Sequence, residues 1–168
     1  MSGTLEMPEP VTKAKAMKPA KRKILLVDDD AAIGQILLHL LEEEDYIVVT
    51  ASNGVEALVF AEATKFDLVL LDLNMPVKDG WETFDQLTTK NPLMPIILIT
   101  ARPNQFFPAL ASGVGALLEK PLNLTKLFST IHNLLEEPDA VRLARFTGRP
   151  SAFRYIPPIP EEAEKKVS

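Results

Sequence analysis

Five short apolar runs recur along the chain, and each leads into polar residues: KILLVD (23–28), YIVVTA (46–51), FDLVLLDL (66–73), MPIILIT (94–100) and GALLEK (115–120). A run such as ILLV lacks the apolar–polar alternation of a half-exposed strand, so it predicts a strand buried on both faces, the habit of parallel sheets. Parallel neighbours need long crossover connections, and the intervening segments have helical spacing. In 31–44, Ile33, Ile36, Leu37, Leu40 and Leu41 fall at three- and four-residue intervals, with Asp30 placed to cap the first turn. A second helix is predicted over 54–64, with Val55, Leu58, Val59 and Ala61 as its apolar positions. A weaker third covers 80–90 and stops at Asn91-Pro92, and a weaker fourth covers 104–112, where Pro108 argues against regularity. The last, 123–137, lines up Leu124, Leu127, Phe128, Ile131, Leu134 and Leu135 before Pro138 ends it. Five strands alternating with five helices predict an α/β, doubly wound parallel sheet covered on both faces.

That topology fixes where to look for chemistry, because sites in such folds form at the C-terminal ends of the strands. Those ends carry Asp28-Asp29-Asp30, Asp72-Leu73-Asn74, Thr100-Ala101 and Glu119-Lys120-Pro121. Taken singly, each has an ordinary explanation: a cap, a turn, a strand-forming threonine. Together on one rim, they are carboxylates, an amide, a hydroxyl and an ammonium, a set suited to a hard divalent cation and a phosphoryl group. Mg²⁺ takes oxygen ligands, typically one or two carboxylates with water and substrate oxygens. Asp29 and Asp72 are candidates for two of them, and Asp72 is also a possible nucleophile toward phosphorus. Lys120 and Thr100 supply the positive charge and the hydrogen-bond donor that phosphoryl transfer needs. Without a metal, crowded carboxylates should raise at least one pKa among them.

Composition narrows the class further. The chain has 168 residues, enough for one domain with extensions, and no cysteine, which excludes thiol catalysis, disulfides and thiolate metal sites. No apolar run approaches a membrane span and the N-terminus lacks a secretion-signal core, so a cytoplasmic protein without a membrane partner is expected. The net charge of −5 hides a division. Residues 1–23 carry six Lys/Arg against two Glu, whereas 24–137 carry six against 17 acids. An acidic core is not a nucleic-acid footprint. Residues 1–22 are expected to be a basic, disordered extension, with contact to an acidic partner as the alternative.

The pieces ILLVDDD, ASNGVEAL, FDLVLLDLNMPVKDGWE, PIILITA and GALLEKPLNLTKL resemble the receiver domain of two-component response regulators over about 23–137. The resemblance implies a flavodoxin-like sheet of strand order 2-1-3-4-5. It implies Asp72 as phosphoacceptor from a histidine kinase, with a histidine phosphotransfer protein as a further partner to which the group could pass, and Mg²⁺ (or Mn²⁺) held by Asp28, Asp29, Asp72 and the Asn74 backbone carbonyl. Asp29 would ligate directly and Asp28 through water, with Thr100 and Lys120 on the phosphate and a cis Lys120–Pro121 bond. Asp30 is no ligand in that pattern, which leaves it the capping role. Family members usually carry Tyr or Phe three residues before the lysine, as a switch coupled to the threonine; here that residue is Leu117.

Several alternatives stay open at this point. Phe106 and Phe107 belong either to the core or to a partner-binding patch. The segment 138–168 holds a possible short helix, DAVRLARF, then a Pro/Arg-rich stretch with interleaved aromatics; it is either a disordered tail or a segment that docks on the receiver or on a partner. It is too short for a DNA-binding output domain with its own core, so a stand-alone regulator, monomeric or weakly dimeric, acting on an unknown downstream protein is expected. His132 is expected to be a solvent-facing helix residue. Two competing functions remain: an interaction module independent of phosphorylation, which Leu117 favours, and an aspartate-nucleophile phosphatase of the haloacid dehalogenase type. The latter needs an acid two residues after its nucleophile, where this chain has Asn74.

Overall fold

Uninterrupted branched aliphatics make the central strands, and the alternation of their side chains divides the interior into two layers. The structure, a computed structural model, describes residues 3, 19–148 and 152–161. Strands β1 (Lys23–Val27), β2 (Ile47–Ala51), β3 (Leu68–Asp72), β4 (Ile96–Thr100), β5 (Ala116–Glu119) and β6 (Arg154–Ile156) form one parallel sheet in the order β2-β1-β3-β4-β5-β6. The first five follow the predicted order, and a sixth is added at the β5 edge. Every residue of β3 and β4 is buried.

Helices α1 (Ala31–Glu43) and α5 (Leu124–Leu135) pack through Leu37, Leu41, Leu127, Ile131 and Leu134 onto Ile24, Leu26, Leu70 and Ile99. On the opposite face, α2 (Gly54–Ala63), α3 (Gly80–Lys90) and α4 (Phe106–Ser112) cover Leu25, Val27, Val69, Leu71, Leu98 and Leu117 with Ala57, Phe84, Leu87 and Ala109. Full burial of each such aliphatic is worth about 1.5–3 kcal/mol.

Two predicted helix faces need correcting. Ile36 is 61% exposed, and α1 buries Gly34, Leu37 and Leu41 instead. In α2, Val55 and Val59 are exposed while Gly54 and Ala57 are buried. Small residues let α2 approach α3 closely: a Cβ on Gly54 would lie 2.1 Å from Thr83 Oγ1. Pro108 does not break α4, because it sits in the first turn, where its missing N–H has no helical partner to lose. His132 is exposed, as expected.

The described part of the C-terminal segment is packed against the sheet rather than free. Helix α6 (Asp139–Phe146) follows α5 directly, anchored by Arg142 Nη2 donating to the Leu134 carbonyl at 2.9 Å and by an ion pair between the buried Arg145 and Glu137. The chain then returns as β6, with Ala116, Leu117 and Leu118 opposite Arg154, Tyr155 and Ile156. The basic extension predicted for 1–22 lies almost wholly outside the described residues; of its last residues, Lys21 pairs with Asp45, and Arg22 with Asp67 and Glu136.

Candidate functional site

The carboxyl ends of β1, β3, β4 and β5 bring Asp28, Asp72, Thr100 and Lys120 to one rim. Asp28 and Asp72 are buried, Asp29 is exposed beside them, and carboxylate oxygens of all three lie within 4.8 Å of one another. Lys120 sits among them: its Nζ is 2.8 Å from Asp72 Oδ2 and 3.8 Å from Asp28 Oδ2. Asp30 turns away, its Oδ1 accepting from the amides of Ala32 and Ile33 at 3.0 and 3.2 Å to cap α1. The three consecutive aspartates thus divide into a rim pair and a cap, as the sequence suggested.

Hydrogen bonds fix each member. Asp28 Oδ1 accepts from the Asp30 amide at 2.9 Å, and Asp72 Oδ1 from the Asn74 amide at 2.8 Å. Thr100, fully buried, donates to Asn74 Oδ1 at 3.1 Å and accepts from the Arg102 amide at 2.9 Å. The main chain of Lys120 is tied to the same strand end, its amide donating to the Thr100 carbonyl at 2.8 Å, and the Lys120–Pro121 peptide is cis. Gly80 closes the floor: a Cβ there would lie 2.4 Å from Leu73 Cα and 2.7 Å from the Asp72 carbonyl oxygen, so α3 can start against β3 only with glycine.

The electrostatics follow from burial and crowding. Asp28 is raised to about 6, first by loss of hydration and further by the Asp72 charge, against the opposing Asp30 amide and Lys120 ammonium. The expected carboxylate repulsion is present, but desolvation is the larger cause. Burial works to lower the pKa of Lys120, yet its hydrogen bond to Asp72 and the charges of Asp72, Asp28 and Asp29 outweigh that and hold it above the ordinary lysine range. Hard oxygen donors on three carboxylates, bridged by one ammonium, fit a small divalent cation. They also leave a carboxylate oxygen of Asp72 beside a fixed positive charge.

Over residues 24–132 the sequence matches the response regulator receiver domain family. The chain belongs to that family. Curated relatives of this receiver include the alkaline phosphatase synthesis transcriptional regulatory protein PhoP of Bacillus subtilis, 36% identical over 70% of this chain and 50% of that protein. Another is the transcriptional regulatory protein PdtaR of Mycobacterium tuberculosis, 36% identical over 74% of this chain and 61% of that one. The receiver therefore spans about half to three-fifths of these relatives. Among solved structures, a CheY-like receiver domain protein from Methanospirillum hungatei superposes with TM-score 0.66 at 31% identity, covering 70% of this chain and 95% of that one. Response regulator TrrA of Thermotoga maritima, solved in complex with Mg²⁺ and beryllofluoride, gives 0.63 at 33% identity, covering 67% and 98%.

Two features of this receiver were not read from the sequence. The Asn74 side chain, expected only as one of the polar groups on the rim, holds the Thr100 hydroxyl. Trp81, half-buried, donates from Nε1 to Gln105 Oε1 at 2.8 Å, joining the start of α3 to the residue before α4. Neither contact has a local pattern; both need the topology first. Leu117 is fully buried in the layer beneath α4, so its position is filled by core. Phe106 is half-buried in ring contacts with Phe107, Phe153 and Tyr155, while Phe107 is 76% exposed.

Proposed function

We propose that this receiver, over residues 23–137, takes a phosphoryl group onto Asp72 from a phosphohistidine of a histidine kinase or histidine phosphotransfer protein, and signals through protein–protein contacts. The observation that carries the reading is the Lys120 ammonium 2.8 Å from a buried Asp72 oxygen, within a cluster of three carboxylates. An Asp72 carboxylate oxygen forms the bond to phosphorus as the P–N bond breaks. The electron pair of that bond stays on the imidazole, whose other nitrogen carries the proton, so the histidine leaves neutral. Asp28, Asp29 and Asp72, with the Asn74 backbone carbonyl, would hold Mg²⁺ (or Mn²⁺), which supplies charge neutralisation to the phosphoryl oxygens. Lys120 neutralises another side of the group without leaving its place. Thr100 exchanges its bond to Asn74 for one to a phosphoryl oxygen.

The phosphatase alternative lacks its acid: Asn74 accepts from Thr100 and has no proton of suitable pKa to give. The proposal is tested by incubating the protein with Mg²⁺ and phosphoramidate and reading intact mass. A single phosphoryl adduct on wild type, absent from Asp72→Ala, is expected; no adduct, or an undiminished one in the variant, overturns the reading.

A further inference from the structure

The segment Phe153–Ile159 lies along the open edge of β5, and two parts of its seat, Pro121 and Phe106, adjoin the phosphoryl site. It is held by three strand pairs, by the Arg154 amide donating to the Gly115 carbonyl at 3.2 Å, and by the Ile159 amide donating to the Pro121 carbonyl at 3.1 Å. On the α4 side, Phe153 and Tyr155 meet Phe106 edge to face, with ring centroids at 5.7 and 5.2 Å. Tyr155 stands directly beside Leu117 in the ladder, so an aromatic ring missing from β5 is supplied one strand further out.

Pro121 follows Lys120, whose ammonium contacts Asp72. Phe106 opens α4, which is reached from Thr100 through 101–105, a stretch pinned by the Arg102 amide on Thr100 Oγ1 and by Gln105 on Trp81. Helix α4 is gripped at its other end too: Gly113 caps it with φ +79°, and a Cβ there would be 2.8 Å from the Phe146 ring of α6. Phe153–Ile159 therefore touches the start of α4 and the residue after Lys120, while α6 holds the other end of α4 through Phe146. Its own hold is slight: β6 has three residues and Tyr155 is 39% exposed, so it can open without global unfolding.

We propose that Phe153–Ile159 is an intramolecular cover of the surface formed by α4, β5 and α5, seated while Asp72 is free and displaced when Asp72 carries a phosphoryl group. The inference rests on the function proposed above. A phosphoryl group draws Thr100 from Asn74 and re-sets Lys120, so the 101–105 stretch and Pro121 both shift under a seat built for the free site. Displacement leaves the β5 edge and Phe106 open to an extended segment of the same chemistry, an aromatic and β-branched strand followed by prolines. Coupling is reciprocal for binding equilibria, so weakening the seat must favour the modified site. Burial and the neighbouring Glu119 carboxylate raise the pKa of the Tyr155 hydroxyl.

The test is hydrogen exchange on the full chain, read on peptides spanning 152–161, with and without Mg²⁺ and phosphoramidate, which transfers its phosphoryl group to Asp72 and releases ammonia. Intact mass reports the adduct in the same samples. Exchange in the segment should quicken at least about fivefold on modification, with the amides of β1 and β3 unchanged. Tyr155→Ala should show fast exchange before modification and bind Mg²⁺-beryllofluoride more tightly than wild type, followed by Trp81 fluorescence. An adduct with unchanged or slower exchange overturns the cover alone; no adduct overturns the function with it. A dimer whose segment is exchanged between two copies, seen by sedimentation of the unmodified protein, overturns the intramolecular assignment.

Discussion

Lys120 Nζ lies 2.8 Å from Asp72 Oδ2 and is the one basic side chain that also reaches Asp28, at 3.8 Å, among the described residues. Two buried carboxylates are thus held together by a lysine. Lys120→Met should cost about 1–3 kcal/mol in the presence of chelator, because truncating one partner leaves buried charge uncompensated. The same variant should bind Mg²⁺ more tightly, since a competing cation is gone. Urea unfolding with EDTA and a Mg²⁺ titration followed by Trp81 fluorescence check the two opposite signs.

Asp28 gives the pH dependence. Its folded pKa of about 6 lies above the ordinary 3.8, so between those values the folded chain holds a proton that the unfolded chain has released. Its contribution to stability therefore falls as pH rises through that window and stays unfavourable above it. Asp28→Asn keeps an acceptor for the Asp30 amide and should stabilise the metal-free protein by about 1–3 kcal/mol at neutral pH. The gain should shrink toward pH 4, as urea midpoints of variant and wild type at several pH values will show.

Asp29 is exposed, so its removal separates metal binding from folding. Asp29→Ala should abolish the Mg²⁺-dependent change in Trp81 fluorescence while moving stability by no more than about 0.5 kcal/mol. Thermal unfolding and the Mg²⁺ titration, run side by side, make the comparison.

Gly80→Ala should destabilise by about 2–4 kcal/mol, because the added Cβ meets the backbone of Leu73 and Asp72 rather than a movable side chain. Since it displaces the strand end that carries Asp72, phosphoryl transfer should slow even where the variant remains folded. Rates from phosphoramidate at a temperature well below its unfolding transition test this.

The sheet and the rim were legible because both are written in short-range pattern. Unbroken ILLV and IILI runs specify buried strands, and strand ends in such a sheet share one rim, so Asp28, Asp72, Thr100 and Lys120 could be grouped from position alone. Asp30 as a cap follows from the residues beside it. What was not legible depends on partners distant in sequence. The exposure of Ile36, Val55 and Val59 depends on which line of each helix meets the sheet, and helical spacing alone admits more than one line. The RYI stretch becomes a strand because β5 offers an open edge and Phe106 an aromatic face, although Pro157 and Pro158 made the segment resemble a free tail. Thr100 with Asn74 and Trp81 with Gln105 pair across 26 and 24 residues, and no local rule joins them.

The proposed function requires a carboxylate oxygen of Asp72 to take the phosphoryl group, and trapping the acyl phosphate tests that directly. Reduction with borohydride after treatment with Mg²⁺ and phosphoramidate converts an aspartyl phosphate to homoserine, which peptide mass spectrometry locates. Homoserine at position 72 of the wild-type chain, and at no other aspartate, is the predicted result. Homoserine at Asp28, Asp29 or elsewhere, or an unmodified Asp72 in fully folded protein, would contradict it.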